Sequence, residues 1–334
     1  MILAIDVGGT KLAAGLVGPD GAVAASARVA TPQDTDAETL WETLAALVEP
    51  FSGAVDGVGV GCGGPMVWPR GEVSPLNIPA WRAFPLRARL AGRFPGLPVR
   101  VHNDAVCLAV AEHWRGAGRG SRDMLGMVVS TGVGGGLILG GRLIDGGTGN
   151  AGHIGHVVVE PDGGPPCGCG GRGCLEAVAR GPGLTAWAVA QGWRPGRGVP
   201  EGDDEAYRED RVVTGRALAA DALAGDEVAL AAMRRAGRAL GVAIASATHL
   251  CDLELVTVGG GLSQAGKPLF GPLEEALREH APMDFARRVR VVPAALGQEA
   301  GLVGAAALIL AGETYWATPH SAATRSDNAA CRGL

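Results

Sequence analysis

A chain of 334 residues, 47% hydrophobic and 19% charged, has the composition of a compact globular protein and the length for one large or two medium domains with full cores. A net charge of −5 with no block of Lys or Arg argues against nucleic acid as a partner, and no apolar run is long enough to span a membrane. Met1 leads into Ile2-Leu3-Ala4-Ile5, which Asp6 interrupts with no basic segment before it, and the seven cysteines are an odd number. Together these predict a reducing, cytoplasmic setting.

In chain order, residues 2–7 read as a strand, Gly8-Gly9-Thr10-Lys11 as a polar turn, and 12–17 as the returning strand. A third strand is expected at 22–29. Residues 36–51 have helical periodicity, with Leu40, Leu44 and Leu47 on one face. A strand at 55–60 ends in Gly61-Cys62-Gly63-Gly64-Pro65. A strand at 98–101 ends at His102-Asn103-Asp104 and passes directly into a helix at 105–115. Residues 124–129 repeat the opening pattern: a strand, then a glycine-rich turn from Ser130 and Thr131 through Gly132, Gly134 and Gly135 to Gly136, then a strand at 137–139. This internal symmetry predicts two related α/β lobes. A long helix follows at 226–250, with Asp226 and Glu227 suited to its first turn. A buried strand at 253–258 ends in Gly259-Gly260-Gly261, and a strand at 289–292 and a helix at 301–311 complete the pattern. Residues 192–210 read as a surface excursion, and the polar tail after Gly312 as disorder.

Three features carry chemistry. Asp6 stands at a strand end before a turn of small residues, whose backbone N–H groups can cradle phosphate oxygens, with Thr10 and Lys11 adding a hydroxyl and a cation. The second and third glycine runs also follow buried strands, so the three together suit a nucleotide. Asp104 stands at a strand's carboxyl end, where open α/β sheets bind ligands; it is either a proton acceptor for an attacking hydroxyl or the cap of the helix after it. Cys167, Cys169 and Cys174 fall in a C-x-C-x4-C pattern among glycines, shortly after His153 and His156. Three thiolates and one imidazole make a tetrahedral zinc set. Cys62, Cys107 and Cys251 read as small buried hydrophobes.

These segments resemble the ROK family of sugar kinases, glucokinase-like members of the hexokinase/actin-like superfamily. The resemblance runs from Asp6 to about residue 311 through Asp6-Val7-Gly8-Gly9-Thr10-Lys11, His102-Asn103-Asp104-Ala105, Thr131-Gly132-Val133-Gly134-Gly135-Gly136, the stretch from Gly152 to Glu176, and Gly259-Gly260-Gly261. It implies a two-lobed, actin-like (ribonuclease H-like) ATPase fold with the site in the cleft. The small lobe would comprise 1–105 and about 299–312, the large lobe 106–298, with 313–334 a disordered tail. It implies ATP-dependent phosphorylation of a hexose 6-hydroxyl, Asp104 as general base, Mg²⁺ held through Asp6, and Gly8, Gly9, Thr10, Lys11, Thr131, Gly132, Gly134, Gly135, Gly259 and Gly260 around the nucleotide. Gly64, Asn77, Asn103, His153, His156 and Glu176 would face sugar. His156, Cys167, Cys169 and Cys174 would hold a structural zinc. Family members form dimers or tetramers, and the implied partners are sugar and ATP. Family repressors carry a DNA-binding domain ahead of the Asp-x-Gly-Gly-Thr segment, which stands here at residue 6, so a kinase is expected.

One departure bears on substrate. The family motif Glu-x-Gly-His reads His153-Ile154-Gly155-His156 here. A carboxylate only accepts hydrogen bonds, whereas a neutral imidazole accepts one and donates one. A modified sugar is therefore the alternative to a plain hexose: an amino sugar such as kanosamine, an N-acetylhexosamine or a cyclitol. A sugar sensor without catalysis is disfavoured, because Asp104 and both phosphate loops are intact.

Overall fold

A computed structural model describes residues 1–196 and 213–316. In the first sheet, β1 (Ile2–Val7), β2 (Lys11–Val17) and β3 (Val23–Ala30) form an antiparallel meander. Helix α1 (Ala37–Val48) follows, capped by Asp36, whose carboxylate accepts from the Thr39 N–H at 2.8 Å, and it buries Leu40, Leu44 and Leu47 as its periodicity predicts. Strand β4 (Gly57–Cys62) pairs parallel to β1. The two-residue strands β5 (Met66–Val67) and β6 (Glu72–Val73) form a hairpin, α2 (Leu86–Arg93) follows, and β7 (Val99–Asn103) pairs parallel to β4.

After α3 (Asp104–Arg115) the plan repeats. Strands β8 (Met124–Val129), β9 (Val133–Leu139) and β10 (Arg142–Leu143) are antiparallel neighbours. Helices α4 (Leu175–Ala179), α5 (Gly181–Ala190), α6 (Gly215–Leu223) and α7 (Glu227–Cys251) precede β11 (Leu255–Gly259), which pairs parallel to β8. Helix α8 (Lys267–His280) leads to β12 (Arg290–Pro293), parallel to β11. The sheet orders β3-β2-β1-β4-β7 and β10-β9-β8-β11-β12 are therefore equivalent, strand for strand, and the internal symmetry seen in the sequence is a duplication of topology.

Helix α9 (Ala300–Leu310) packs on β1 and β4 of the first sheet, α3 packs on β8 and β9 of the second, and the two helices pack against each other. Their contact is close because Gly304 faces the Cys107 carbonyl: a Cβ on Gly304 would lie 1.8 Å from that oxygen.

Two expectations change. The glycines at 134–136 are not a turn but part of β9. Their role is packing: a Cβ on Gly134 would lie 2.6 Å from the Ala105 Cβ, and one on Gly136 2.9 Å from the Ala109 Cβ, so the bare strand lets α3 lie directly on the sheet. The chain also stays ordered past Gly312: α10 (Gly312–Tyr315) is a helical turn, Tyr315 is buried, and Trp316 follows it. The rest of the expected tail, and most of the expected 192–210 excursion, lie outside the described residues.

Candidate active site and metal centre

The parallel strands β1, β4 and β7 end side by side. Register pairs Asp6 with Gly61, Gly61 with His102, and Cys62 with Asn103. Asp104 is the first residue of α3, and Asn103, not Asp104, is the helix cap: its Oδ1 accepts from the N–H groups of Ala105 at 2.9 Å and Val106 at 3.4 Å. Asp104 keeps one oxygen on the Ala105 N–H at 2.8 Å, leaving the other for a ligand. Burial raises the pKa of Asp104. Burial, reinforced by the Asp104 charge, also raises Asp6, to about 6. Two carboxyl groups with so little solvent between them favour a cation, which is the chemistry of an Mg²⁺–nucleotide site. Gly301 at the start of α9 lets the helix close over Asp6: a Cβ there would lie 2.5 Å from Asp6 Oδ2.

The turn between β1 and β2 is held by the Gly8 N–H on the Lys11 carbonyl at 3.0 Å and by Thr31, whose hydroxyl donates to the Gly8 carbonyl at 2.7 Å. The second turn is tighter than expected, spanning Ser130 to Gly132, with the Ser130 N–H on the Gly132 carbonyl at 2.8 Å. Thr131 at its tip is exposed. Gly260, at φ +94°, approaches the end of β8 so closely that a Cβ would lie 2.3 Å from the Val129 carbonyl. The second and third glycine runs are therefore adjacent.

The residues expected to face sugar also converge. Asn77 lies against Gly9 and Gly63, where added Cβ atoms would sit 2.7 Å from its Nδ2 and 3.1 Å from its Oδ1. A Cβ on Gly64 would meet Asn103 Nδ2 at 2.9 Å and the His153 ring at 3.1 Å. His153 Nε2 is buried with no hydrogen-bond partner, and burial, with His156 nearby, holds its pKa below the usual histidine value. Glu176, on α4, accepts from the Val133 N–H at its Oε2 at 2.9 Å, which ties α4 to the second glycine turn.

The ring of His156 stacks beside that of His153 at 5.9 Å and directs Nδ1 to the cysteines. One ligand atom each from His156, Cys167, Cys169 and Cys174 lies within 4.8 Å of all the others. The Cys167 Sγ–His156 Nδ1 and Cys169 Sγ–Cys174 Sγ distances are 3.6 and 3.8 Å. Zinc–sulfur bonds of about 2.3 Å at tetrahedral angles require edges of about 3.8 Å, so the set fits zinc. His153 is not part of it.

Residues 2–311 match the ROK family model. The chain belongs to the ROK family. Glucokinase of Thermotoga maritima is 35% identical over 324 residues, covering 92% of this chain and 96% of that protein. N-acetylmannosamine kinase of Escherichia fergusonii is 37% identical over 311 residues, covering 92% and 97%. The ROK glucokinase of Streptomyces griseus, solved with glucose and AMPPNP, superposes with a TM-score of 0.78 at 35% identity, over 92% of this chain and 98% of that one. The fold is thus the actin-like ATPase fold of ROK sugar kinases. Among the described residues, no helix is long and apolar enough to cross a membrane.

In this ROK chain, sequence reasoning missed the residues that support the site. Gly301 carries no local signal, since its role depends on what faces it. His102 lies in the segment His102-Asn103-Asp104-Ala105, where nothing local signals its role; it is buried and bonded to Asp145 at 2.9 Å. Asp145 and Trp316 belong to no motif.

Proposed function

We propose that this ROK sugar kinase transfers the γ-phosphoryl group of Mg²⁺·ATP to the 6-hydroxyl of a hexose, glucose being the first candidate. The observation that carries the reading is the convergence of Asp6 at the end of β1 with Asn103 and Asp104 at the junction of β7 and α3, across the end of β4 and with glycine turns beside them. The free carboxylate oxygen of Asp104 accepts the hydroxyl proton as the sugar oxygen attacks phosphorus. Burial raises its pKa, which makes its carboxylate a stronger base than an exposed one. Asn103 Nδ2, beside Gly64, donates to a sugar oxygen. Asp6 would hold Mg²⁺, which supplies charge neutralisation to the phosphates. The N–H groups of the 8–11 and 130–132 turns orient those phosphates, and the Gly259-Gly260 turn, packed closely on the end of β8, lies beside the nucleoside. Asp104→Asn is expected to lower kcat about 10²–10⁴-fold with sugar affinity, by calorimetry, within a few-fold. A near-normal kcat would remove Asp104 as the base.

Zinc held by His156, Cys167, Cys169 and Cys174 would be structural, because four protein ligands leave no position for a reactive water. Its task is to brace the segment that carries His153, His156 and Glu176.

A second reading, an N-acetylhexosamine kinase, rests on the buried, unpartnered Nε2 of His153. A neutral imidazole there can donate to an acetamido oxygen, which the usual glutamate cannot. A panel of glucose, mannose, N-acetylglucosamine, N-acetylmannosamine, amino-glucose isomers and cyclitols separates the two. Under this reading, His153→Glu lowers kcat/KM for the N-acetyl sugar at least about tenfold and raises that for glucose. Glucose preferred tenfold or more by the native enzyme would exclude it.

A further inference from the structure

We propose that Trp316, Asp145 and His102 form a hydrogen-bond relay that positions Asn103 and Asp104 for phosphoryl transfer; it rests on the roles proposed for those two residues. The peptide N–H of Asn103 donates to His102 Nδ1 at 2.8 Å. That nitrogen must carry the lone pair, so the proton resides on Nε2, which donates to Asp145 Oδ1 at 2.9 Å. The other Asp145 oxygen accepts from the Trp316 indole N–H at 2.6 Å. The three partners come from distant parts of the chain. His102 is the penultimate residue of β7 in the first sheet, Asp145 follows β10 of the second, and Trp316 follows α10. One carboxylate thus joins both sheets and the C-terminal turn directly behind the peptide that precedes the candidate base.

The surroundings hold this arrangement rigid. The Trp68 ring lies 5.2 Å from that of His102 and 6.0 Å from that of Trp316, and the Arg100 guanidinium lies 5.1 Å over Trp316. Trp68 sits just beyond Gly64 in the sugar loop. That loop is tied to the Asp145 segment by Asn150, which both accepts from the Met66 N–H at 3.1 Å and donates to the Met66 carbonyl at 2.9 Å. Tyr315, next to Trp316, hydrogen-bonds His113 of α3 at 2.8 Å. The C-terminal turn therefore grips both the strand that ends at Asn103 and the helix that begins at Asp104. His102 is only 1% exposed, so each of its ring nitrogens needs its partner, and breaking one link leaves a buried polar group that must find another by moving.

The test uses the full-length protein, measuring kcat, KM for sugar and for MgATP, and Tm in the same variants. Asp145→Asn puts an amide donor against one of two donors. It is expected to lower kcat or kcat/KM for sugar about 10–100-fold while leaving KM for MgATP within about three-fold, the penalty expected of a misplaced reacting group. Trp316→Phe keeps the ring stack and removes only the N–H, giving a smaller loss in the same parameters. His102→Asn keeps an acceptor for the Asn103 N–H but cannot reach Asp145. Combined with Trp316→Phe it should cost less than the two single losses multiplied, because both break one relay. A kcat and sugar KM within two-fold of wild type in Asp145→Asn, with only Tm lowered, would overturn the proposal. Should that variant fail to fold, strict multiplication of the Trp316→Phe and His102→Asn effects would overturn it equally. Loss of activity in Asp104→Asn alongside normal Asp145→Asn kinetics would sink the relay and spare the base; normal kinetics in Asp104→Asn would sink the base itself.

Discussion

At the scale of single residues, burial works against the charge of both carboxyl groups of the site, and each has a like-charged neighbour, but different groups ease the cost. Asp104 is raised by burial and by Glu176 and eased by backbone N–H groups at the start of its own helix, whereas Asp6 is raised by burial and by Asp104 and eased only in part by Lys11 and Arg28. Its pKa of about 6 means that the folded protein holds this proton more tightly than the unfolded chain, where an aspartate titrates near 3.9. Below the unfolded value both states are protonated and the group costs nothing. As pH rises through the window between the two values, the unfolded state releases its proton first and the folded state loses relative stability, reaching the full penalty above about 6. The neutral isostere Asp6→Asn has no such penalty. Melting both proteins from pH 4.5 to 8 without nucleotide should show wild-type Tm falling relative to Asp6→Asn up to about pH 6 and running parallel above it. Parallel curves throughout would mean that Asp6 is not under this strain. The same residue illustrates what was legible: its place at a strand end before a glycine turn is visible in the sequence, but its neighbours Asp104 and Gly301 are brought to it only by folding.

At the scale of elements, a local signal identifies a helix or strand but not what lies across from it. The α1 periodicity and the α7 start near Asp226 and Glu227 are local and were readable, although Asp36 and Asp226 prove to be caps, their carboxylates accepting from the N–H groups of Thr39 at 2.8 Å and Ala229 at 2.9 Å. The glycines of β9 were misread because glycine looks like a turn until the helix packed on it is known, and Ala105 and Ala109 show their purpose only in three dimensions. The C-terminal turn was missed because four residues have no periodicity. The cysteine loop is the opposite case, since spacing alone exposes it. Among residues 161–172 only Gly164 is buried, so no apolar core holds this segment. Its shape comes from short backbone contacts, such as the Cys167 N–H on the Gly171 carbonyl at 2.8 Å, and from the four-ligand cluster. A metal held by the cluster would then be the main source of order, and its binding energy would become local folding energy. Metal analysis should find about one zinc per chain. Cys169→Ser, or treatment with a strong chelator, should remove it and raise KM for sugar at least about tenfold while KM for MgATP changes little, because the nucleotide turns belong to other elements. Full sugar affinity in demonstrably zinc-free protein would show that the loop needs no brace.

At the scale of the whole molecule, the duplicated sheets meet through two helices, and the contact between those helices sets how the halves of the site face each other. Asp6 and the first glycine turn belong to one sheet and the second glycine turn to the other, the cysteine loop follows that second sheet's first three strands in the chain, and Asp104 begins the helix between the sheets. The contact is built from close backbone approach more than from large side chains: Gly304 faces the Cys107 carbonyl, and Gly59 of β4 faces the Ala305 carbonyl, where an added Cβ would lie 1.8 Å from each oxygen. Carbonyl oxygens in helices cannot swing aside as side chains do, so a methyl group at either position must push one layer away from the other. Gly304→Ala should therefore cost about 1–3 kcal/mol from overpacking, a Tm fall of about 2–6 °C, despite alanine's better helix propensity. Because the shift lies one turn from Gly301 over Asp6, kcat should fall with it. Gly92→Ala in α2, where an added Cβ meets nothing within 4 Å, makes the same chemical change in a helix with open space, and propensity alone should leave it neutral or stabilised by up to about 1 kcal/mol with kcat unchanged. Opposite signs for the two substitutions would place the sensitivity in the seam between the helices; equal behaviour would mean that the seam relaxes freely and does not set the alignment of the lobes.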